Sequence, residues 1–275
     1  MITYQEATLE ELFRNTPPVL YKYRSWDNPL HKRILTELEL FFPSPQRFND
    51  PYDCGLPYRP DPGDTDIIKI KGKLEELAPK KFTHLAHDPK ALQEELARQL
   101  FYIQQDPEGY FRDNYGFNKE DLSVMYGVLS LTPHPGNFLM WSHYADSHRG
   151  FAIGFDTQKL VTQNFGTFKR VDYEDEIPTI SALDMAMPLM YKLIYTKAKF
   201  WNYEDEYRIT KINGADSKSY FDPILLRTIH FGVNMPYKSK MEIIEIVRQK
   251  FPGVHIFEMT IDKINFKLVE LLVFC

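Results

Sequence analysis

Short strand-forming runs recur along this chain at uneven intervals, and that unevenness constrains the fold more than any other feature. Val19–Arg24 alternates in strand fashion: Leu20, Lys22 and Arg24 share one face, and Val19, Tyr21 and Tyr23 the other. Further strand patterns lie at 40–43, 124–132, 151–156, 168–173, 198–211, within 222–231, and at 254–261 and 267–274. Helical patterns fall between them. The first spans 5–14, where Thr8 and Glu11 form a capping box. Others span 29–39, 64–80, 88–105, 176–193 and 239–250, with a short one before Gly150.

A doubly wound sheet needs a helix after each strand, and this chain lacks that rhythm. It also lacks either common Gly-rich phosphate loop. The pattern predicts an α+β fold with a mixed, mostly antiparallel sheet. A single domain is expected over 1–275, with 64–120 as a polar helical insertion or lid.

The net charge of −5 disfavours general nucleic-acid binding through phosphate neutralisation. The two cysteines, Cys54 and Cys275, are too few for a disulfide framework and fit a reducing, cytoplasmic compartment. The first residues show no basic region followed by an apolar run, and no stretch approaches the ~18 apolar residues of a membrane span. No membrane partner is expected. His84 and His87 lie three apart without a further ligand in metal spacing, so no metal site is expected.

Four segments carry chemistry-bearing residues. In WNYEDEYR, residues 201–208, strand alternation puts Asn202, Glu204, Glu206 and Arg208 on one face. Two neighbouring carboxylates repel each other unless a cation or a ligand hydroxyl compensates, so this face suits ribose hydroxyls or a general base. It equally suits a set of structural ion pairs. In residues 137–156, Trp141, Ser142, His143 and Tyr144 precede a buried strand, and Arg149 has the fork that grips phosphate. His143 fits a catalytic or a hydrogen-bonded structural role, and Arg149 also fits a plain surface position. LYKYRS, residues 20–25, ends a strand with a ring, a guanidinium and a hydroxyl. FNDPYD, residues 48–53, is a turn whose side chains bond their own backbone. No nucleophile elbow is present, and Cys54 sits in a Pro-rich loop.

Together YKYRS, FFPSPQRFNDPYDC, LSLTPHPGNFLMWSHYADSHRGFAIGFD and KAKFWNYEDEYRI resemble the bacterial family catalogued as domain of unknown function 2971. They occur in that family's order across residues 20 to 210. The layout is also similar to the ADP-ribosyltransferase fold. That resemblance implies NAD as substrate, a dinucleotide partner and an unknown macromolecular acceptor. It implies that Arg24, or Tyr21 or Tyr23, opens the site. Ser130 and Thr132, with Trp141 and Tyr144 nearby, stand where such enzymes carry Ser-Thr-Ser; this chain reads Ser130-Leu131-Thr132. It makes Glu206 the catalytic carboxylate, assisted by Glu204, with Tyr144, His143 and Arg149 at the same site. The function implied is NAD-dependent ADP-ribosyl transfer or NAD hydrolysis, with a place in phage defence or toxin biology. A non-catalytic nucleotide- or protein-binding module on the same fold is the alternative. A metal-dependent hydrolase using Asp50, Asp53 and Glu206 is a third reading.

Overall fold

The structure, a computed structural model, describes residues 13–62, 66–106, 109–110, 113, 119–181 and 186–274. Most of the helix expected at 5–14, including Thr8 and Glu11, lies outside them, as does Cys275. The strands are β1 (Val19–Arg24), β2 (Glu39–Phe42), β3 (Tyr126–Leu131), β4 (Phe151–Asp156), β5 (Thr167–Arg170), β6 (Asp172–Glu174), β7 (Thr196–Ala198), β8 (Tyr207–Ile212), β9 (Ser217–Tyr220), β10 (Leu226–Phe231), β11 (His255–Ile261) and β12 (Leu268–Phe274). The α-helices are α1 (Pro29–Thr36), α2 (Ile67–Lys81), α3 (Pro89–Gln105), α4 (Lys119–Met125), α5 (Phe138–Tyr144), α6 (Thr157–Thr162), α7 (Ala186–Tyr195) and α8 (Tyr237–Lys250).

The α+β expectation is met, and the sheets are mixed and mostly antiparallel. One sheet runs in the order β1-β4-β10-β11-β12, with only the β10–β11 pair parallel. A second runs β3-β8-β5, antiparallel throughout. β2 pairs with β9 antiparallel, and β6 with β7 parallel. No helix among the described residues is long and apolar enough to cross a membrane.

The chain forms two compact units. The first comprises 1–44, 125–171 and 200–275; the second, 45–124 and 172–199. In the second unit α2 and α3 pack on each other through Ile70, Leu74, Leu96 and Ile103. Asp66 and Asp88 cap these two helices by accepting backbone N–H bonds. The same unit buries an ion pair between Lys197 and Asp53 at 3.6 Å.

The first unit holds two apolar layers, and strand alternation sorts residues between them. Leu20, Ile153, Ile229 and Ile256 face a core closed by Leu35 of α1, Ile243 and Val247 of α8, and Leu129 and Ile209 of the three-stranded sheet. Tyr23, Ala152 and Met259 face the other way, onto Met140 and Trp141 of α5. This confirms the alternation read in β1.

Several boundaries differ from the sequence pattern. The helix expected to reach Glu39 stops at Thr36, because Leu38 takes a left-handed backbone (φ 58°) and the strand begins at Glu39. Val124 and Met125 end α4 rather than opening β3. Their apolar character mimics a strand, yet Val124 is exposed. The run 168–173 divides into β5 and β6, which belong to different sheets.

The turn between α5 and β4 is unusual. Asp146, Ser147 and His148 are consecutive left-handed residues, with φ of 49°, 51° and 67°. Each such residue with a Cβ costs roughly 1–2 kcal/mol. The turn is held by His148 N–H to Trp141 O, Gly150 N–H to Ala145 O and Asn234 N–H to His148 O. A Cβ on Gly150 would stand 2.2 Å from Arg24 O, so only glycine lets β1 end here. Ser147 is exposed. Ser147→Gly is therefore expected to stabilise the fold by about 0.5–1 kcal/mol and raise the melting temperature by about 2 °C. A fall in that temperature on calorimetric scanning would show that the serine has a contact offsetting its strain.

Candidate functional site

The site lies in the first unit, where the two larger sheets meet. β1 is the edge of the five-stranded sheet, and Tyr21 forms an antiparallel bridge with Thr132 just beyond β3. Tyr21 N–H donates to Thr132 O at 2.7 Å and Thr132 N–H to Tyr21 O at 3.1 Å. This junction brings the end of β1 beside the start of β8.

The segment 201–208 is not one continuous strand, which corrects the alternation argument. Residues Lys199–Glu204 form a 3-10 helix, Asp205 is left-handed (φ 43°), and the strand begins only at Tyr207. Polar–aromatic alternation is equally compatible with a tight turn. Asp205 N–H closes that turn on Asn202 O at 3.1 Å. Its carboxylate is pinned by Arg170 Nε at 2.8 Å and lies 3.1 Å from His134 Nε2.

The charged groups nevertheless converge. Glu204, Glu206 and Arg208 are all at most 3 % exposed. Arg208 holds Glu206 with both ends of its fork, Nε to Oε1 at 2.7 Å and Nη2 to Oε2 at 2.9 Å. The Tyr144 hydroxyl donates to Glu204 Oε1 at 2.6 Å. Lys22 donates to Ser130 O at 2.7 Å and feels the charges of Arg24, Glu206, Glu204 and Arg208. Burial first, then the neighbouring Arg24, push the Lys22 ammonium well below its ordinary range.

Arg24 differs from the other cations. Its guanidinium makes one long bond, 3.4 Å to Tyr23 O, and no ion pair among the described residues. Burial lowers its pKa to about 10, so it remains charged at neutral pH. Arg24 is half-buried, and a half-buried guanidinium with no ion pair among the described residues is a candidate group for binding an anion.

The remaining expected residues separate into three groups. Ser130 contributes its carbonyl to Lys22 and pairs in register with Arg208. Thr132 is buried and makes the sheet junction, while its Oγ1 accepts from His134 N–H at 3.3 Å. Tyr23 and Trp141 are core side chains, packed edge to face at 5.0 Å. Tyr23 donates its hydroxyl to His134 O, and Trp141 Nε1 donates to Pro135 O at 2.8 Å. Both rings are buried in this packing. His143 is exposed and lies against Tyr144, Trp201 and Tyr203, with ring centroids 6.2–6.5 Å apart. Arg149 is exposed and paired with Asp146 at 3.1 Å, as a surface residue would be.

Sequence reasoning missed Lys22 and His31 as site residues and used Arg208 only as a neighbour. Lys22 shares a strand face with Arg24, and that alternation was the available signal. His31 on α1 had none. It accepts from Ser25 N–H at 3.3 Å, and burial with the nearby Arg24 and Lys22 charges lowers its pKa to about 4. The unfolded imidazole titrates near 6.5, so between about pH 6.5 and 4 the unfolded chain binds the extra proton. Stability is expected to fall as pH drops through that window. His31→Gln should flatten the fall in melting temperature between pH 7 and 5, and an unaltered slope would remove His31 from the effect.

Among the described residues, no group of three or more His, Cys, Asp or Glu side chains is placed to hold a metal ion. Asp50 and Asp53 belong to the second unit, and Glu206 to the first.

Fold and site together define an α+β protein with a buried glutamate–arginine centre at the junction of two sheets, and with Arg24, which has no ion pair among the described residues, on the strand that forms the junction. The model of the family described as protein of unknown function (DUF2971) matches residues 140–209, from α5 through the first residues of β8. The resemblance read from the motifs is thereby supported over the segment that carries Tyr144, Glu204, Glu206 and Arg208. No curated protein and no solved structure matches the chain.

Proposed function

We propose that the first unit binds a dinucleotide of the NAD type and breaks its nicotinamide–ribose bond, on an ADP-ribosyltransferase-like arrangement of its sheets. The observation that supports this reading is Lys22, which lies within the electrostatic reach of Arg24 on its own strand and of the buried Glu204, Glu206 and Arg208 across the sheet junction. Arg24 and Lys22 take the pyrophosphate; guanidinium–phosphate bonds are charge-assisted and directional. A carboxylate bonded to the ribose hydroxyls stabilises the positive charge that grows at the anomeric carbon as the bond to nicotinamide breaks. The bonding electron pair leaves with nicotinamide. Water or an acceptor nucleophile then adds to that carbon, and its proton passes to a carboxylate. Glu206 is the reacting group and Glu204, oriented by Tyr144, assists. His143, Trp201 and Tyr203 supply the accessible rings for stacking.

Incubation with NAD labelled in the nicotinamide ring tests this. Release of label by the native chain, and at least 100-fold slower release by Glu206→Gln, is the expected result. Absence of release, or full release by the variant, would overturn it.

One observation favours a second reading. Both Glu206 oxygens are already bonded to Arg208, so the centre also fits a nucleotide-binding module without catalysis. Calorimetry separates the two, since a binder gives saturable heat with NAD and no product.

A further inference from the structure

A cavity in the first unit is unclaimed by that site. It has a volume of about 710 Å³, within the range of roughly 300–1,000 Å³ common for small-molecule sites. It lies at the opposite end of β1 from Arg24, against Val19. Three segments build it: the region of α6, the turn leading into β10, and the turn between α8 and β11.

Its chemistry is one-sided. Lys159, Arg227 and His255 are the ionisable groups of its lining, and no acidic residue lines it. Lys159 has only a 3.5 Å contact to Ile224 O, without an ion pair. Arg227 uses one end of its fork on Asp156, at 3.0 Å, and the rest is exposed. The Thr228 hydroxyl is buried beside the Tyr21 hydroxyl. Phe257 gives the cavity an aromatic wall, and its own stacking partner His230, 4.9 Å away, holds the ring in place. Gly253 (φ 85°) has no atom within 4 Å of where a Cβ would stand, so the lip stays open.

Cations at the rim and a held aromatic ring match a small molecule with a phosphate and a flat base. We propose that this cavity binds a nucleoside monophosphate, with its phosphate at Lys159 and Arg227 and its base against Phe257. The site is separate from the dinucleotide centre and stands whether or not that centre is catalytic.

Titration calorimetry of the full chain with AMP, adenosine and inorganic phosphate as separate probes tests it. AMP is expected to bind saturably, and adenosine and phosphate each at least tenfold more weakly. The double variant Lys159→Gln/Arg227→Gln should weaken AMP at least tenfold, while Arg98→Gln, an exposed change in the second unit, leaves AMP affinity unchanged. The His255 ring protons should shift in the NMR spectrum as AMP is added, an independent readout in the native chain. No saturable heat at millimolar AMP overturns the proposal. So does phosphate binding as tightly as AMP, or AMP binding that survives the double variant.

Discussion

Replacing Arg208 with leucine is expected to cost about 3–5 kcal/mol of stability, because it strands a buried carboxylate. Arg208 is fully buried, and Glu206 is 3 % exposed. Their two parallel bonds, at 2.7 and 2.9 Å, compensate the removal of both charges from water. Lys22 offers Glu206 a second positive field, so the loss should lie at the lower end of that range. Glu206→Leu should also be harmful, since it removes the two carboxylate bonds of the buried guanidinium. The double variant should recover part of the loss, as two apolar side chains of similar volume replace the ion pair. Urea unfolding of the four proteins gives the coupling energy directly. Losses that simply add in the double variant would show that the pair is not the unit of stability.

Arg24→Gln is expected to move binding and stability in opposite directions. The guanidinium is half-buried without an acid partner, and burial lowers its pKa to about 10. Holding that charge in the fold costs free energy, so the neutral variant should melt at a higher temperature. If the arginine takes a dinucleotide phosphate, the same change should weaken NAD binding about 10- to 100-fold, through loss of a charge-assisted bond worth roughly 1.5–3 kcal/mol. Calorimetry and thermal melts on one preparation read both. A variant that binds NAD unchanged would remove Arg24 from the site, whatever its stability.

The sequence exposes the parts of this fold that obey simple periodicity. β1, β4, β10, β11 and α8 were legible because one face of each is apolar and packs on a single core. β9 was not: Ser217–Tyr220 is short and polar, and only its pairing with β2 makes it a strand. The site shows the same division. Glu204, Glu206 and Arg24 could be singled out as charges in apolar, aromatic surroundings, where a partner is needed. Their geometry was misread, because the alternating aromatic and polar residues of 201–204 imitate a strand, while the 3-10 helix they form repeats about every three residues. Lys22 and His31 stayed hidden because their roles depend on contacts across the junction and with α1. Trp141 drew attention for its size and proved to be core, as fully buried tryptophans commonly are.

Among the described residues, the ladder between the five-stranded and three-stranded sheets is one residue pair, Tyr21 with Thr132. Lys22 and Arg24 ride on β1, while Glu206 and Arg208 lie at the start of β8. A small rotation about that pair would change the spacing of cations and carboxylates, opposed by the Lys22 bond to Ser130 O and by the apolar core the two sheets share. A molecule spanning both groups would act as a strut, fixing an angle that the backbone alone leaves soft. Its arrival should register as slowed amide exchange at Tyr21 and Thr132, ahead of any change in the interior strands.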